Sequence, residues 1–274
     1  MKKPENINEI TVNSEIEKGA YPPNGFLMFD EACLGNGDYF GLYWEFGKEK
    51  DYPIICEMEH DKGIITPRFS NLDKFLEWYE LNDYDWGENE ISDTNFISEY
   101  INKGNEYVKN NNPKKAIEQY KLGINCFGEL SDIWLKLGVQ QKRLGKENEF
   151  QNSIINAFLS NWTFGLPSEN TIRLIKNLKP ISEFENHPLI RHKNDLVFKF
   201  GGTKQNPIYD VLRKIINELF ENGNFKEALL LEQNYALMML WETTSFQERY
   251  EFDNEKWKDD FKNKTENYLK RNNG

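Results

Sequence analysis

Gly35-Asn36-Gly37-Asp38-Tyr39-Phe40-Gly41-Leu42-Tyr43-Trp44 reads as a turn running into a strand. Asn36-Gly37 supplies residues that tolerate positive φ, and the aromatic run after it suits a pleated, largely buried strand. Working outward, Gly25 to Asp30, Pro53 to Glu59 and Ile64 to Thr66 are further aromatic and β-branched runs bounded by Pro, Gly, Asn and Asp, with Asp61-Lys62-Gly63 as a second hairpin connection. A helix is predicted from Ser70, placed to cap it, with Leu72, Phe75, Leu76 and Tyr79 on its apolar face. Residues 1–90 therefore form an α+β module, a small and mostly antiparallel sheet with a helix.

Past residue 90 the period changes. Tyr100, Gly104, Ala116, Tyr120 and Gly123 are answered 34 residues later by Trp134, Gly138, Phe150, Ile154 and Ala157. This is the period of helix pairs that bury their apolar faces only by stacking on one another. The pattern predicts helices over Phe96–Asn110, Pro113–Cys126, Asp132–Leu144 and Glu147–Leu159. Further helices follow at Ser168–Leu178, Ile208–Glu221, Phe225–Trp241 and Glu255–Arg271, and Leu196-Val197-Phe198 reads as a short extended piece. Residues 91–274 are thus an all-α helical-repeat domain.

Two resemblances carry these residues further. The Gly-Asn-Gly-Asp loop with its following Gly-Leu-Tyr, Pro53 opening a strand that ends in His60-Asp61, and the Phe69-Ser70-x-Leu72-x-x-Phe75-Leu76 helix resemble the SUKH superfamily of Smi/Knr-type domains over about residues 26 to 80. The amino-terminal helix usual in such domains is not evident in Met1 to Ala20, so this copy is shortened or divergent. The resemblance implies a non-enzymatic binding fold, used in bacteria mainly by immunity proteins that neutralise polymorphic toxins. The helical half is similar to tetratricopeptide repeats, although Phe150 stands where a small residue is usual. Of the inner positions that would clamp a chaperone carboxyl terminus (Ser98, Ile101, Asn105, Asp132, Leu135, Val139), Asn105 alone fits. The pattern instead favours an apolar groove that holds a partner helix or this protein's own first module.

Charge divides at the same place. Of a net −11, residues 1 to 94 hold 21 Asp and Glu against 8 Lys and Arg, while the rest is nearly neutral with a basic stretch from Arg191 to Lys204. From Glu80 to Glu99 there are seven acids and no Lys or Arg. Such a surface repels nucleic acid phosphates and steers a basic protein toward itself. The partner expected is another protein, in particular a basic toxin domain such as a nuclease, and neither nucleic acid nor a membrane. Asp38, Tyr39, Trp44, Glu45, His60 and Asp61 near the loops, with Asp83, Asp85, Glu88 and Glu90 on the linker, are the candidate contacts. Tyr39 and Trp44 also suit a core. The alternative function is a repeat scaffold or adaptor without a toxin partner.

Catalysis is not expected. Gly35-x-Gly37-x-x-x-Gly41 lacks the Lys-Ser/Thr of a phosphate loop and leads into a strand. His60-Asp61 lacks companion metal ligands, and Glu57, Glu59 and Asp61 read as a solvated edge. No cofactor or metal is predicted: Cys33, Cys56 and Cys126 have no ligand spacing and fit a reducing compartment, so the cytoplasm is the expected location. Met1 to Asn6 has no apolar run behind it to act as a secretory signal.

Overall fold

The structure is a computed structural model that describes residues 1–12, 15–33, 38–59, 63–85, 87–201 and 205–272. Phe26–Cys33 (β1), Tyr39–Tyr43 (β2), Ile54–Glu59 (β3) and Ile64–Phe69 (β4) form one antiparallel sheet in the order β1-β2-β3-β4. The Asn36-Gly37 and Asp61-Lys62 connections lie outside the described residues. Ser70 does not cap the helix that follows. Asn71 does, its side chain accepting from Lys74 N at 3.0 Å, and the helix (α1) spans Leu72–Leu81. Asn71 is extended at φ −165°, the geometry of a cap, and frees Ser70 for another task described below.

Both faces of the sheet are buried, which is why its strands read as nearly continuous apolar runs. Leu27, Phe29, Phe40, Leu42, Trp44 and Ile55 pack with Leu72, Phe75 and Trp78 of α1. Phe75 lies 5.2 Å from both Phe29 and Phe40, centroid to centroid, so ring contacts at about 0.5–1.5 kcal/mol each add to the burial of the rings themselves. The amino-terminal segment is tied to the sheet at three places: Asp30 N donates to Thr11 O at 2.9 Å, Glu17 N to Phe26 O at 2.7 Å and Trp44 Nε1 to Lys2 O at 2.9 Å.

The opposite face carries Phe26, Tyr43, Ile54, Cys56, Met58 and Ile65, and it shares one core with the first helices of the second half. Those helices are Ile97–Lys109 (α2), Pro113–Cys126 (α3), Ser131–Arg143 (α4) and Glu147–Leu159 (α5). Phe96, Ile97, Ala116, Ile117, Tyr120 and Ile133 supply their side of that core. Gly104 matters here because a Cβ on it would run into the Tyr120 ring, and Gly138 meets Ile154 in the same way 34 residues on. α2 packs on α3, and α4 packs on α5.

The chain continues through Glu169–Asn177 (α6), Pro188–Arg191 (α7), Pro207–Glu221 (α8), Phe225–Leu240 (α9), Thr244–Arg249 (α10) and Asn254–Asn272 (α11). Ser168 caps α6 as its position predicts, accepting from Thr171 N at 3.2 Å. Leu196 to Phe198 pairs with no strand; instead Phe198 sets its ring 5.2 Å from that of Trp162. α9 is buried without a break from Ala228 to Met239, including Glu232, Gln233 and Asn234. Each of these polar residues joins α9 to a different neighbour. Gln233 Oε1 accepts from Asn24 N at 3.1 Å, Asn234 bonds Trp162 N and Ser160 O at 2.8 Å each, and Glu232 pairs with Lys264 of α11 at 2.7 Å. Among the described residues no helix is long and apolar enough to cross a membrane.

Candidate functional site

The acidic linker is a shaped loop. At the end of α1, Asn82 is only 8% exposed, and its Nδ2 donates to Trp78 O at 2.8 Å and to Asn89 O at 3.2 Å while its Oδ1 accepts from Asn89 N at 3.2 Å. One buried amide therefore ties Asn89 to Trp78 of α1. Between those anchors Asp83 (φ +57°) and Tyr84 (φ +61°) both sit in the left-handed region, a strained conformation for residues with a Cβ. The turn lifts Tyr84 to 64% exposure, its ring edge-on to Tyr79 at 5.6 Å. Glu80, Asp83, Asp85, Glu88 and Glu90, before and after it in the chain, are all exposed. Farther along, Asp93 accepts from Ser70 N at 2.7 Å and from Ser70 Oγ at 2.9 Å, which ties the far end of the linker to the start of α1. The result is an exposed aromatic ring in a stretch of chain rich in exposed carboxylates, with side-chain bonds from Asn82 and Asp93 at its two ends.

The other sequence-predicted contacts fall elsewhere. Asp38 and Tyr39 are half-buried, Tyr39 against the core shared with the helices. Trp44, 1% exposed, lies in the α1 layer and cannot face a partner. Glu45 does not do so either: it is 8% exposed, accepts from Gly128 N at 2.8 Å and pairs with Lys48 at 3.1 Å. His60 and Asp61 lie outside the described residues. Glu57 is no solvated edge, being 8% exposed and paired with Arg68 at 3.3 Å. The basic stretch is engaged locally, Arg191 and His192 with Glu218 and Lys193 with Leu178 O, and leaves the acidic loop at the surface. Lys204 is not among the described residues.

Sequence reading missed Glu129, a lone acid between α3 and α4 with no motif around it. It is 2% exposed, and its carboxylate accepts from Phe46 N at 2.7 Å, Tyr43 OH at 2.5 Å and Asn161 Nδ2 at 3.1 Å. Glu45 and Glu129 thus exchange bonds across the junction, each accepting from a backbone amide beside the other. Burial, then the nearby Glu45 charge, pushes the Glu129 carboxyl up to about 7, against the pull of Lys226, Tyr43 and Asn161. Both acids line a cleft of 660 Å³ with Lys48, Trp134, Lys226, Tyr268 and Arg271. A carboxyl that titrates near neutrality in a cleft has the form of a general acid or base. Here three donors occupy it, two from the sheet half and one from Asn161, so it joins sheet to helices. Cys56 is buried, with its thiol pushed well up by that burial, and Cys126 is pushed up to about 11 for the same reason; neither is primed as a nucleophile. Among the described residues no three His, Cys, Asp or Glu gather to hold a metal ion.

Residues 11–88 match the model of the YfbP N-terminal domain and residues 199–272 that of the YfbP C-terminal domain. The chain is 37% identical over 248 residues, 89% of its length and 88% of the relative's, to the uncharacterized protein YfbP of Escherichia coli (strain K12). No solved structure matches it. The chain belongs to the YfbP family.

Proposed function

We propose that this protein binds another protein without catalysis, as a cytoplasmic immunity-type protein that neutralises a polymorphic toxin through the acidic loop. The partner in this reading is a basic domain, a nuclease above all. The observation that carries it is Tyr84, 64% exposed in an acidic stretch of chain whose start Asn82 ties to α1. Aromatic anchors in a preorganised setting dominate interface energies, and surrounding charge sets association rate and specificity. The fold supports the same reading: residues 1–90 as a SUKH-type module with α1 on an antiparallel sheet, and residues 91–274 as a tetratricopeptide-like array in which the Gly104–Tyr120 contact recurs at Gly138 and Ile154. A pure scaffold is disfavoured, because the apolar side of α2, α3 and α4 already shares a core with the sheet. Asn105, the one residue that fits a chaperone clamp, is engaged by Tyr120 OH at 2.9 Å.

The test is rescue of cells expressing a nuclease toxin domain encoded beside this gene. The chain should protect, and a variant with Tyr84→Ala, Asp83→Asn, Asp85→Asn, Glu88→Gln and Glu90→Gln should not. With purified proteins, association should slow by about tenfold or more between low and high salt. Equal protection by that variant would remove the loop from the mechanism, and failure of the unaltered chain to protect would remove the toxin.

A further inference from the structure

The 660 Å³ cleft beside Glu129 opens where three parts of the chain meet: the sheet half supplies Lys48, α4 and α5 supply Trp134 and Leu159, and α9 and α11 supply Lys226 and Arg271. Its volume falls in the range of about 300–1,000 Å³ typical of small-molecule sites, which form preferentially at such junctions. No residue of the acidic loop lines it, so what it binds is independent of the reading given to that loop.

The charged groups of its wall are unequally matched. Glu45 accepts from Gly128 N and pairs with Lys48, Glu227 meets His187 at 3.2 Å and Asn224 at 3.1 Å, and Glu129 has its three donors. Among the described residues neither Lys226 nor Arg271 has a carboxylate within 4.0 Å. These two cations come from different helices and meet at one end of the cleft. Lys226 Nζ and Tyr268 OH lie 3.6 Å and 3.3 Å from the point that a Cβ on Gly47 would take. Arg271 follows Tyr268 by one turn of α11 and sets its guanidinium 4.6 Å from the ring centre of Phe225, the residue before Lys226. Ile124, Trp134 and Leu159 add apolar surface from α3, α4 and α5, and the Trp134 ring is fixed by its Nε1 bond to Gly128 O at 2.6 Å. Glu129 is the acid that would resist an anion here. It is 2% exposed and its carboxyl is pushed up to about 7 by burial and by Glu45, so below neutrality it sets little charge against one.

We propose that this cleft binds a small organic phosphate with a flat apolar body, the phosphate held by Lys226 and Arg271 and the body against Trp134. Two cations suit the two charges of a phosphate monoester, and the planar guanidinium fork matches its oxygens. Such a ligand touches all three parts of the chain and adds to the joint that Glu45 and Glu129 make.

Calorimetric titration of the full chain at about pH 6.5, in a buffer free of phosphate, compares phenyl phosphate with inorganic phosphate, which lacks the ring, and with phenol, which lacks the charge. Phenyl phosphate should bind, and each of the other two at least about tenfold more weakly. Lys226→Met and Arg271→Met, at side chains that hold no acid in the fold, should each weaken phenyl phosphate by about tenfold with little change in the thermal melt, and either serves alone should the other fail to fold. Lys214→Met, an exposed position on α8 outside the cleft, should bind as the wild type does. No heat from phenyl phosphate at 10 mM would overturn the proposal, as would equal binding of phenol, binding untouched by Lys226→Met and Arg271→Met, or an equal loss on Lys214→Met. Inorganic phosphate binding as tightly as phenyl phosphate would overturn it too, and leave a surface that merely attracts anions.

Discussion

Replacing Glu129 with Gln should make the protein less sensitive to rising pH. The native carboxyl is pushed up to about 7 by burial and by Glu45, from 4.5 in an open environment. Between those two values the folded chain holds a proton that the unfolded chain has released, so its stability falls as pH rises. The gap corresponds to roughly 3 kcal/mol, present in full below about pH 4.5 and lost as pH climbs through about 7. Glu129→Gln keeps the size, lets the amide oxygen accept from Phe46 N, and allows the amide nitrogen to donate to Tyr43 OH, without a buried charge. Urea denaturation of both proteins at pH 5 and pH 8 reads the effect of Glu129 together with its coupling to Glu45, since the remaining titrating groups are common to the pair. From pH 5 to pH 8 the wild type should lose about 3 kcal/mol relative to Glu129→Gln. The competing effect is explicit. Three donors aimed at a carboxylate favour its ionised form, and if they outweighed burial the difference would change sign. A constant difference, or a wild type that gains on the variant as pH rises, would refute the assignment.

Other positions give equally direct tests. Gly104→Ala should cost about 1–3 kcal/mol in urea unfolding because its Cβ meets the Tyr120 ring, whereas Gly138→Ala should cost less, its Cβ meeting the movable end of Ile154 at 2.9 Å. Asn82→Ala should cost about 1–3 kcal/mol and speed amide hydrogen exchange across residues 83–90, since one side chain makes all three closing bonds. Tyr84→Ala should leave the thermal melt within about 0.5 kcal/mol of wild type, as expected for a ring displayed for contact and not for packing. A large loss of stability there would mean that the ring serves the fold.

The helices were largely legible because their signals are local. Pro113 at the start of α3, the Ser168 cap of α6, and the glycines that admit Tyr120 and Ile154 act within a turn or two of their own positions. The sheet's strands were legible for the opposite reason, their aromatic density, but their surroundings were not. Alternation on β3 places Ile54, Cys56 and Met58 toward the helices and Ile55 toward α1, and a strand with both sides buried does not say which layer covers which side. Glu129 was invisible because nothing nearby in the chain distinguishes it from a surface acid. Its partners Tyr43, Phe46 and Asn161 come from two distant segments, and only the docking of sheet on helices brings them together. The buried places of Glu232, Gln233 and Asn234 were hidden for the same reason: three polar residues in an apolar helix are each buried against a different neighbour of α9.

The carboxylates of the sheet half therefore fall into two populations that one net charge conceals. Glu45 and Glu57 are buried and tied to Gly128, Lys48 and Arg68, so their charge is compensated within a fold that screens poorly from salt. Asp83, Asp85, Glu88 and Glu90 stand at the surface, and the basic stretch that could have covered them is held by Glu218 and by Leu178 O. Salt screens this second population more than the first. Raising ionic strength should accordingly weaken whatever associates with the Tyr84 loop long before it loosens the joint between sheet and helices, and a binding curve and an unfolding curve measured over the same salt range would separate the two. Parallel loss of binding and stability would mean that the surface acids are part of the fold's own electrostatics and not a surface kept for a partner.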